Sequence, residues 1–192
     1  VLIATALIGG ALGIIAGMLK GIKARFVGHI FDAFLSLPIL LIAIIISTLM
    51  EPSLWNAMFA TLFAILPYFI HAIYRAIQEE LKKDYVIMLK LEGISNWTLL
   101  KTTILPNITV VYIQEISRAF IVAVLDISAL SFISLGAQRP TPEWGAMIKD
   151  SLELLYLAPW TVLLPGFAII FTILLSIIFS NGLIKAINQY YE

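Results

Sequence analysis

The stretch LEGISNWTLLKTTILPN, residues Leu91–Asn107, breaks a helical pattern with a glycine and ends on a proline. Gly93 suits a helix C-cap because glycine adopts the left-handed backbone conformation at little cost, and Ser95 can cap a second helix. Pro106 then marks the start of another apolar run. The second helix is predicted to carry three residues along one side: Trp97, Leu100 and Ile104. The stretch therefore predicts two helices joined by a tight turn.

The residues before this stretch complete a structured connection, which we call the elbow and place at residues 75–107. A first helix is expected from Arg75 to Leu91, with Glu79 and Lys83 paired at the favourable four-residue spacing. Four residues share one face of this predicted helix: Leu81, Tyr85, Met88 and Glu92. A connection this long with helical periodicity is not a simple loop, since most neighbouring helices are joined by only a few residues.

The composition indicates that the chain lies in a membrane. Of 192 residues, 61% are hydrophobic and 12% are charged, and the mean hydropathy is +1.01. A soluble domain is about half apolar and a quarter charged. Twelve basic and twelve acidic side chains balance, so the net charge gives no reason to expect a nucleic-acid partner. The sequence has no cysteine, which excludes disulfides and thiolate metal ligands, and no metal site is expected.

Five apolar stretches are long enough to be membrane spans, because about 20 helical residues cross the hydrocarbon core. They are Val1–Leu19, Phe31–Met50, Leu54–Ile73, Ile108–Leu130 and Trp160–Ile187. Helix is the expected element, since lipid cannot satisfy unpaired backbone groups. The chain is therefore predicted to be an all-α polytopic membrane protein with a single transmembrane domain over residues 1–192.

Lysine and arginine lie mostly on one side of the predicted membrane. Nine fall in one set of connections and after the last span: Lys20, Lys23, Arg25, Arg75, Lys82, Lys83, Lys90, Lys101 and Lys185. Arg139 and Lys149 lie on the opposite side, in an external loop placed at residues 131–159. The positive-inside rule therefore predicts a cytoplasmic elbow and C-terminus. Val1 would then start outside, and a complete protein that begins in the cytoplasm would need one more span before it.

Three charged residues lie inside the fourth predicted span. Glu115, Arg118, Val122 and Asp126 fall within a helical stripe of about 80°. Glu115 and Arg118 are one turn apart and can form an ion pair. Such charges mark a substrate pathway by default, and the alternative is an internal pair that locks this helix to a partner subunit. Both roles stay open for Glu115 and Arg118, whereas Asp126 is interpreted as a pathway residue.

Two further features of the spans are interpreted as packing features. Gly9, Gly13 and Gly17 recur at every fourth residue, a pattern typical of closely packed membrane helices. His29 and His71 lie near span ends without paired ligands, so interfacial or packing roles are expected rather than metal binding or proton relay.

Three motifs resemble those of one protein family. The stretch DYVIMLKLEGISNWTLLKTTILPN is similar to the signature of permease subunits of binding-protein-dependent ABC importers, in which Glu-Ala-Ala precedes a glycine and an Ile-x-Leu-Pro sequence. The matching residues are Gly93, Ile104, Leu105 and Pro106, whereas Ile87, Met88 and Leu89 occupy the Glu-Ala-Ala positions.

The other two motifs resemble the dipeptide and oligopeptide subfamily of these permeases. The stretch FDAFLSLPILLIAI, from Phe31, is similar to the Asp-x-x-x-Ser-x-Pro opening of a transmembrane helix. The stretch LSFISLGAQRPTPEWGAMIKDS, from Leu130, is similar to the external segment, although Ser134 and Arg139 replace its usual glycine and proline. Its matching residues are Gly136, Pro140, Thr141, Pro142, Trp144 and Gly145. With APWTVLLPG, from Ala158, the resemblance covers nearly the whole chain.

The resemblance implies the type I ABC importer permease fold, which has six spans in the family and five in this chain. It implies a bacterial inner-membrane location and four kinds of partner: a second homologous permease, two cytoplasmic ATPase subunits, a periplasmic solute-binding protein and membrane lipid. The elbow would receive the ATPase through Tyr85, Leu89, Lys90, Leu91, Glu92, Gly93, Ile94, Ser95 and Pro106.

The expected function is half of a substrate pathway for peptides or related small cationic solutes. The chain has no Walker-type glycine loop, so it is not expected to be an enzyme or to hold a cofactor, and ATP would be bound by the partner ATPases. The alternatives are a self-contained secondary transporter or channel that uses the intramembrane charges, a polyamine exporter subunit, and a purely structural subunit.

Overall fold

The computed structural model describes residues 1–19 and 22–191, and the side chains of all of these except residues 22–27 and 190–191. Within those residues the chain is helical and has no strand. The helices are α1 (Leu2–Gly17), α2 (Ile22–Leu35), α3 (Ile39–Thr48), α4 (Leu54–Glu80), α5 (Asp84–Leu91), α6 (Asn96–Phe132), α7 (Trp144–Asp150) and α8 (Trp160–Tyr191). Short π-helical turns lie within α1 at Thr5–Gly9 and within α6 at Leu100–Ile104. The predicted all-α class is confirmed.

Three of these helices, α4, α6 and α8, are long and apolar enough to cross a membrane. The pair α2 and α3 would make a fourth span if the two helices act as one, and α1 is a shorter apolar helix. The predicted connection from Lys20 to His29 lies partly outside the described residues, because Lys20 and the side chains of Lys23 and Arg25 are not described. The predicted cytoplasmic location of that connection stays a prediction.

The predicted span over Phe31–Met50 is not one continuous helix, since α2 and α3 meet at an angle of 81°. Pro38 begins α3 in an extended conformation, with φ −61° and ψ 137°. Proline has no N–H for the helix ladder and disfavours a helical residue before it, so the helix ends at Leu35. The Leu37 carbonyl, which is left outside both helices, accepts a hydrogen bond from the Tyr68 hydroxyl of α4.

The helix α4 lies at the centre of the fold. The helices α1, α3 and α6 pack against it, while α7 and α8 pack on α6. One side of α4 presents four buried residues spaced by one turn: Ile65, Phe69, Ile73 and Ile77. They form the main apolar core together with residues of α5 and α6, including Val86, Leu99 and Ile104.

The three glycines of α1 lie directly against this side of α4. Gly9 contacts Phe69, Gly13 contacts Ile73 and Gly17 contacts Ile77. A Cβ atom at Gly13 would lie 2.7 Å from the Cβ atom of Ile73, closer than any real pair of such atoms. The glycine face of α1 therefore packs closely against α4 within the chain, and its spacing had suggested such a packing role.

Candidate functional site: the elbow and the charged cavity

The first half of the elbow is two helices rather than one. Helix α4 ends at Glu80, and α5 begins at Asp84 after the extended residue Lys83. The prediction of one continuous helix from Arg75 to Leu91 is therefore wrong. The prediction that four residues share one face of that helix is wrong with it: Leu81, Tyr85, Met88 and Glu92. The break turns the side chains of Lys83 and Tyr85 back towards the Glu80 carboxylate. Lys83 pairs with Glu80 at 2.7 Å, in place of the expected pair with Glu79.

The turn at Gly93 has the predicted conformation. Gly93 has φ +87°, in the left-handed region. Its N–H donates to the Lys90 carbonyl at 3.2 Å, and the Ile94 N–H donates to the Leu89 carbonyl at 3.2 Å, which is the hydrogen-bond pattern of a Schellman motif. The Ser95 hydroxyl accepts from the Thr98 N–H at 3.2 Å and so caps the next helix, as predicted.

The second half of the elbow continues without a break into a long span. Helix α6 runs for 37 residues, and Pro106 lies inside it just after the π-helical turn. This wider turn accommodates a residue that cannot donate to the helix ladder. Leu100 and Ile104 are buried as expected, but Trp97 is 72% exposed and does not share their packed side. Leu99, which sequence spacing did not select, is fully buried instead.

The elbow therefore has an apolar surface that nothing in the described chain covers. Leu91 is 83% exposed, and Ile87, Met88 and Trp97 are exposed beside it in the chain. Of the residues predicted to couple to an ATPase, five are exposed (Tyr85, Leu91, Glu92, Gly93 and Ser95) and four are partly buried (Leu89, Lys90, Ile94 and Pro106). The residues predicted to couple to an ATPase did not include Ile87, Met88 and Trp97, although their apolar side chains in a polar connection were a usable signal.

The buried carboxylate of Glu80 connects α4, α5 and α6. It accepts hydrogen bonds from the Tyr85 hydroxyl and, at 3.1 Å, from the Asn107 Nδ2 amide. Asn107 Nδ2 also donates to the Tyr85 hydroxyl oxygen at 2.8 Å. Burial, together with the neighbouring Glu80 carboxylate, raises the pKa of Tyr85 to about 12, so its hydroxyl stays protonated and remains a donor. We call Glu80, Lys83, Tyr85 and Asn107 the Glu80 network.

A charged cavity of about 610 Å³ lies between α4 and α6, beside the Glu80 network. Its polar lining includes His71, Arg75, Glu79, Glu115 and Arg118, with Glu80, Lys83 and Asn107 at one part of the wall. The remaining wall is apolar and includes residues from the α2 and α3 bend. This combination of apolar walls with a few converging polar groups is typical of small-molecule sites.

The predicted ion pair between Glu115 and Arg118 forms, with the Arg118 Nη1 atom 3.0 Å from Glu115 Oε1. The Glu115 side chain is 12% exposed and that of Arg118 is 71% exposed, so the pair has a buried anion and an accessible cation. Asp126 is buried, and one of its carboxylate oxygens has no hydrogen-bond partner in the described chain. Asp126 does not line the cavity that holds the other two charges, so the structure separates a set that the helical stripe had grouped.

The histidines do not form a metal site in the described part of the chain. His71 is buried, with Nε2 3.4 Å from an Asp32 carboxylate oxygen and its ring packed against Phe31 and Tyr74. His29 Nδ1 lies 3.8 Å from the other oxygen of Asp32. No group of three histidine, aspartate or glutamate side chains in residues 1–19 and 22–191 is placed to hold a metal ion.

At the opposite end of α6, the 131–159 segment folds back onto the helix. Ser134 has φ +71°, and the Leu135 N–H donates to the Leu130 carbonyl at 2.8 Å, so α6 also ends in a Schellman motif. This is the position where the related pattern has glycine. A Cβ atom at Gly145 of α7 would overlap the Ser128 carbonyl. Glu143 caps α7 and accepts a 2.7 Å hydrogen bond from the Ser128 hydroxyl.

Comparison with known proteins agrees with this architecture. Residues 9–191 match the family model described as "Binding-protein-dependent transport system inner membrane component". The chain is 88% identical over 192 residues to the "Peptide transport system permease protein SapC" of Haemophilus influenzae, and it spans 65% of that protein's length. It is 46% identical over 187 residues to SapC of Escherichia coli O6:H1, covering 97% of this chain and 63% of that protein.

A further relative and one solved structure are also similar to this chain. The chain is 35% identical over 180 residues to the "Dipeptide transport system permease protein DppC" of Alkalihalophilus pseudofirmus, covering 94% of this chain and 59% of that protein. A solved structure of the MetNI methionine ABC transporter, in an inward-facing conformation, aligns with a TM-score of 0.67 at 13% identity. That alignment covers 97% of this chain and 92% of the other. The chain belongs to the family of inner membrane components of binding-protein-dependent transport systems.

Proposed function

We propose that this chain is a permease subunit of an ATP-driven transporter and forms half of a pathway for peptides or related small cationic solutes. The observation that carries the proposal is the exposed apolar surface of the elbow, formed by Ile87, Met88, Leu91 and Trp97. An apolar surface on a connection outside the spans needs a protein partner, since neither water nor the hydrocarbon core suits it.

The proposed partner of this surface is an ATPase subunit. Two cytoplasmic ATPases would bind two permeases, and their closure on ATP would move the elbow. The relatives named as peptide and dipeptide permeases support a peptide substrate. The family's description as binding-protein-dependent supports delivery of that substrate by a periplasmic solute-binding protein. The chain itself contributes no ATP chemistry, because its sequence offers no phosphate-binding glycine loop.

The proposed pathway includes the charged cavity between α4 and α6. Its Glu115 carboxylate could receive an ammonium group of the substrate, while Arg75 or Arg118 could receive a carboxylate. The accessible Arg118 side chain also suits a contact with a second permease. A self-contained transporter is disfavoured, because the exposed apolar surface of the elbow would then have no protein partner to cover it.

The test uses the full transporter in vesicles of defined orientation. Leu91→Cys should crosslink to the ATPase, and the chain offers no native thiol to compete. Trp144→Cys, at the far end of α6, is the matched control and should not crosslink. Membrane-impermeant thiol reagents should label Leu91→Cys only from the ATPase side. Crosslinks from Trp144 alone, or ATP-independent transport, would contradict the proposal, and export of polyamines in the same assay would revise its direction and substrate.

A further inference from the structure

The Glu80 carboxylate is a meeting point of three helices. Glu80 is the last residue of α4 and is 5% exposed. Its oxygens contact Lys83 Nζ in the turn, the Tyr85 hydroxyl of α5 and the Asn107 amide of α6. The further hydrogen bond from Asn107 to Tyr85 closes the set into a ring. One side chain therefore holds the elbow helix to both central spans.

This arrangement is not the simplest way to attach a helix. The fully buried Val86 already supplies apolar contact between α5 and the core. A buried carboxylate adds a desolvation cost that its partners must offset, and apolar replacements of such networks are often as stable. What hydrogen bonds add is direction, because each contact holds its donor at a fixed angle and distance. The network is therefore suited to fixing the position of α5 rather than to adding stability.

The same residues also form part of the cavity wall. Glu80, Lys83 and Asn107 line the cavity that contains Glu115 and Arg118. Asn107 and Glu115 lie on the same helix, eight residues or about 12 Å apart. A displacement of α5 that moves the Tyr85 hydroxyl must carry the Glu80 carboxylate and the Asn107 amide with it, or break their hydrogen bonds.

We propose that Glu80 is a positioning residue that transmits movement of the elbow helix α5 to the cavity walls on α4 and α6. The inference rests on the proposed function, because it requires an ATPase that moves the elbow. In this role Tyr85 acts within the chain, through Glu80, rather than as a contact for the ATPase. The exposed residue Leu91 remains the contact point.

The test compares Glu80→Gln with Asp84→Asn in the assembled transporter. Asp84 is the exposed carboxylate at the start of α5; it stands outside the Glu80 network and does not line the cavity. Losing charge-assisted hydrogen bonds corresponds to about a ten- to hundred-fold shift towards a detached elbow. Glu80→Gln should therefore lower the substrate transported per ATP hydrolysed at least about ten-fold. Basal ATP hydrolysis and the Leu91→Cys crosslink should persist, and Asp84→Asn should match the parent protein.

A distance measurement separates positioning from a general loss of structure. Spin labels at Leu91→Cys and Gln114→Cys, both exposed sites, report the elbow against α6. The distance distribution should broaden in Glu80→Gln and stay narrow in Asp84→Asn. If Glu80→Gln does not assemble, Tyr85→Phe tests the same role, because it removes only one hydroxyl of the network. The transport-to-ATP ratio and the distance distribution are then measured for Tyr85→Phe.

An unchanged transport-to-ATP ratio with an unchanged distance distribution would overturn the inference. An equal loss of protein abundance, ATP hydrolysis and transport in Tyr85→Phe would also overturn it, because that pattern indicates a structural role only. Failure of the parent Leu91→Cys protein to crosslink to the ATPase would instead count against the proposed function.

Discussion

The two turns that flank α6 have the same backbone pattern in different surroundings: the Gly93 turn ends α5, just before α6, and the Ser134 turn ends α6. The turn at Gly93 and the turn at Ser134 are both Schellman motifs with one residue in the left-handed region. A side chain at Gly93 would meet nothing within 4 Å, and the turn beside it is exposed. The Ser134 turn is partly buried: Lys149 of α7 donates a hydrogen bond to the Ser134 hydroxyl, and Gly145 of α7 lies against the Ser128 carbonyl of α6. We call these the elbow end and the loop end.

The two ends are held to the rest of the fold in different ways: the elbow end by directional hydrogen bonds, and the loop end by close packing. The elbow end is held by the Glu80 network and presents an open apolar surface. The loop end is held by backbone contact, which tolerates no added atoms. Substitutions at the loop end should therefore act mainly on stability, and substitutions at the elbow end mainly on coupling.

The largest expected effect is at the loop end, with Gly145→Val. Its new side chain would overlap the Ser128 backbone, so α7 must move away, and we expect a loss of about 3 kcal/mol or more. The measurement is thermal unfolding of the purified complex together with its yield. Gly166→Val is the matched control, because nothing lies within 4 Å of that position, and its change should stay within about 0.5 kcal/mol. Equal stability of the two variants would contradict the packed loop end.

The next effect concerns the charges between the two ends. Arg118→Leu should strand the mostly buried Glu115 carboxylate and cost about 2 kcal/mol of folding or assembly. The double variant Glu115→Gln with Arg118→Leu should recover most of that loss, because no uncompensated charge remains. The measurement is complex yield and thermal stability of all three proteins. Equal losses in the single and double variants would show that the pair does not matter.

A smaller effect on stability but a large effect on function is expected for Gly93→Val. The cost is about 1 kcal/mol or somewhat more, because a branched side chain is strained at φ +87° even in open space. The spans should insert normally, while coupled transport and stimulated ATP hydrolysis fall together. Gly93→Asn, which tolerates this conformation, should retain more of both activities. Unaltered coupled transport in Gly93→Val would remove the turn from the mechanism.

The smallest effect is expected at Ser134, where two contributions oppose each other. Ser134→Gly relieves backbone strain but loses the hydrogen bond that the Ser134 hydroxyl accepts from Lys149. The net change should lie within about 0.5 kcal/mol. Ser134→Ala keeps the strain and loses the bond, so it should be less stable than Ser134→Gly by about 1 kcal/mol. Equal thermal stability of the two variants would argue against strain at this turn.

The amino-acid sequence alone determined the features that depend on local chemistry. Its apolar composition indicated a membrane protein, and lipid then leaves helix as the element that satisfies the backbone. Gly93 and Ser95 predicted their turn and cap because both depend on the residue's own conformation and nearest neighbours. The pair of Glu115 with Arg118 was also predictable, since both residues lie on adjacent turns of one helix.

Only the tertiary structure decided what depends on distant partners. Helix α4 ends at Glu80, and the Glu80 carboxylate accepts hydrogen bonds from Tyr85 and from Asn107, which lies 27 residues away in the sequence. The glycines of α1 pack against α4, which the sequence could not specify. Asp126 does not line the cavity that contains Glu115 and Arg118, although helical spacing had grouped the three charges. Periodicity shows which residues share a face, but the packing of neighbouring helices decides whether that face meets a core, a cavity or a partner.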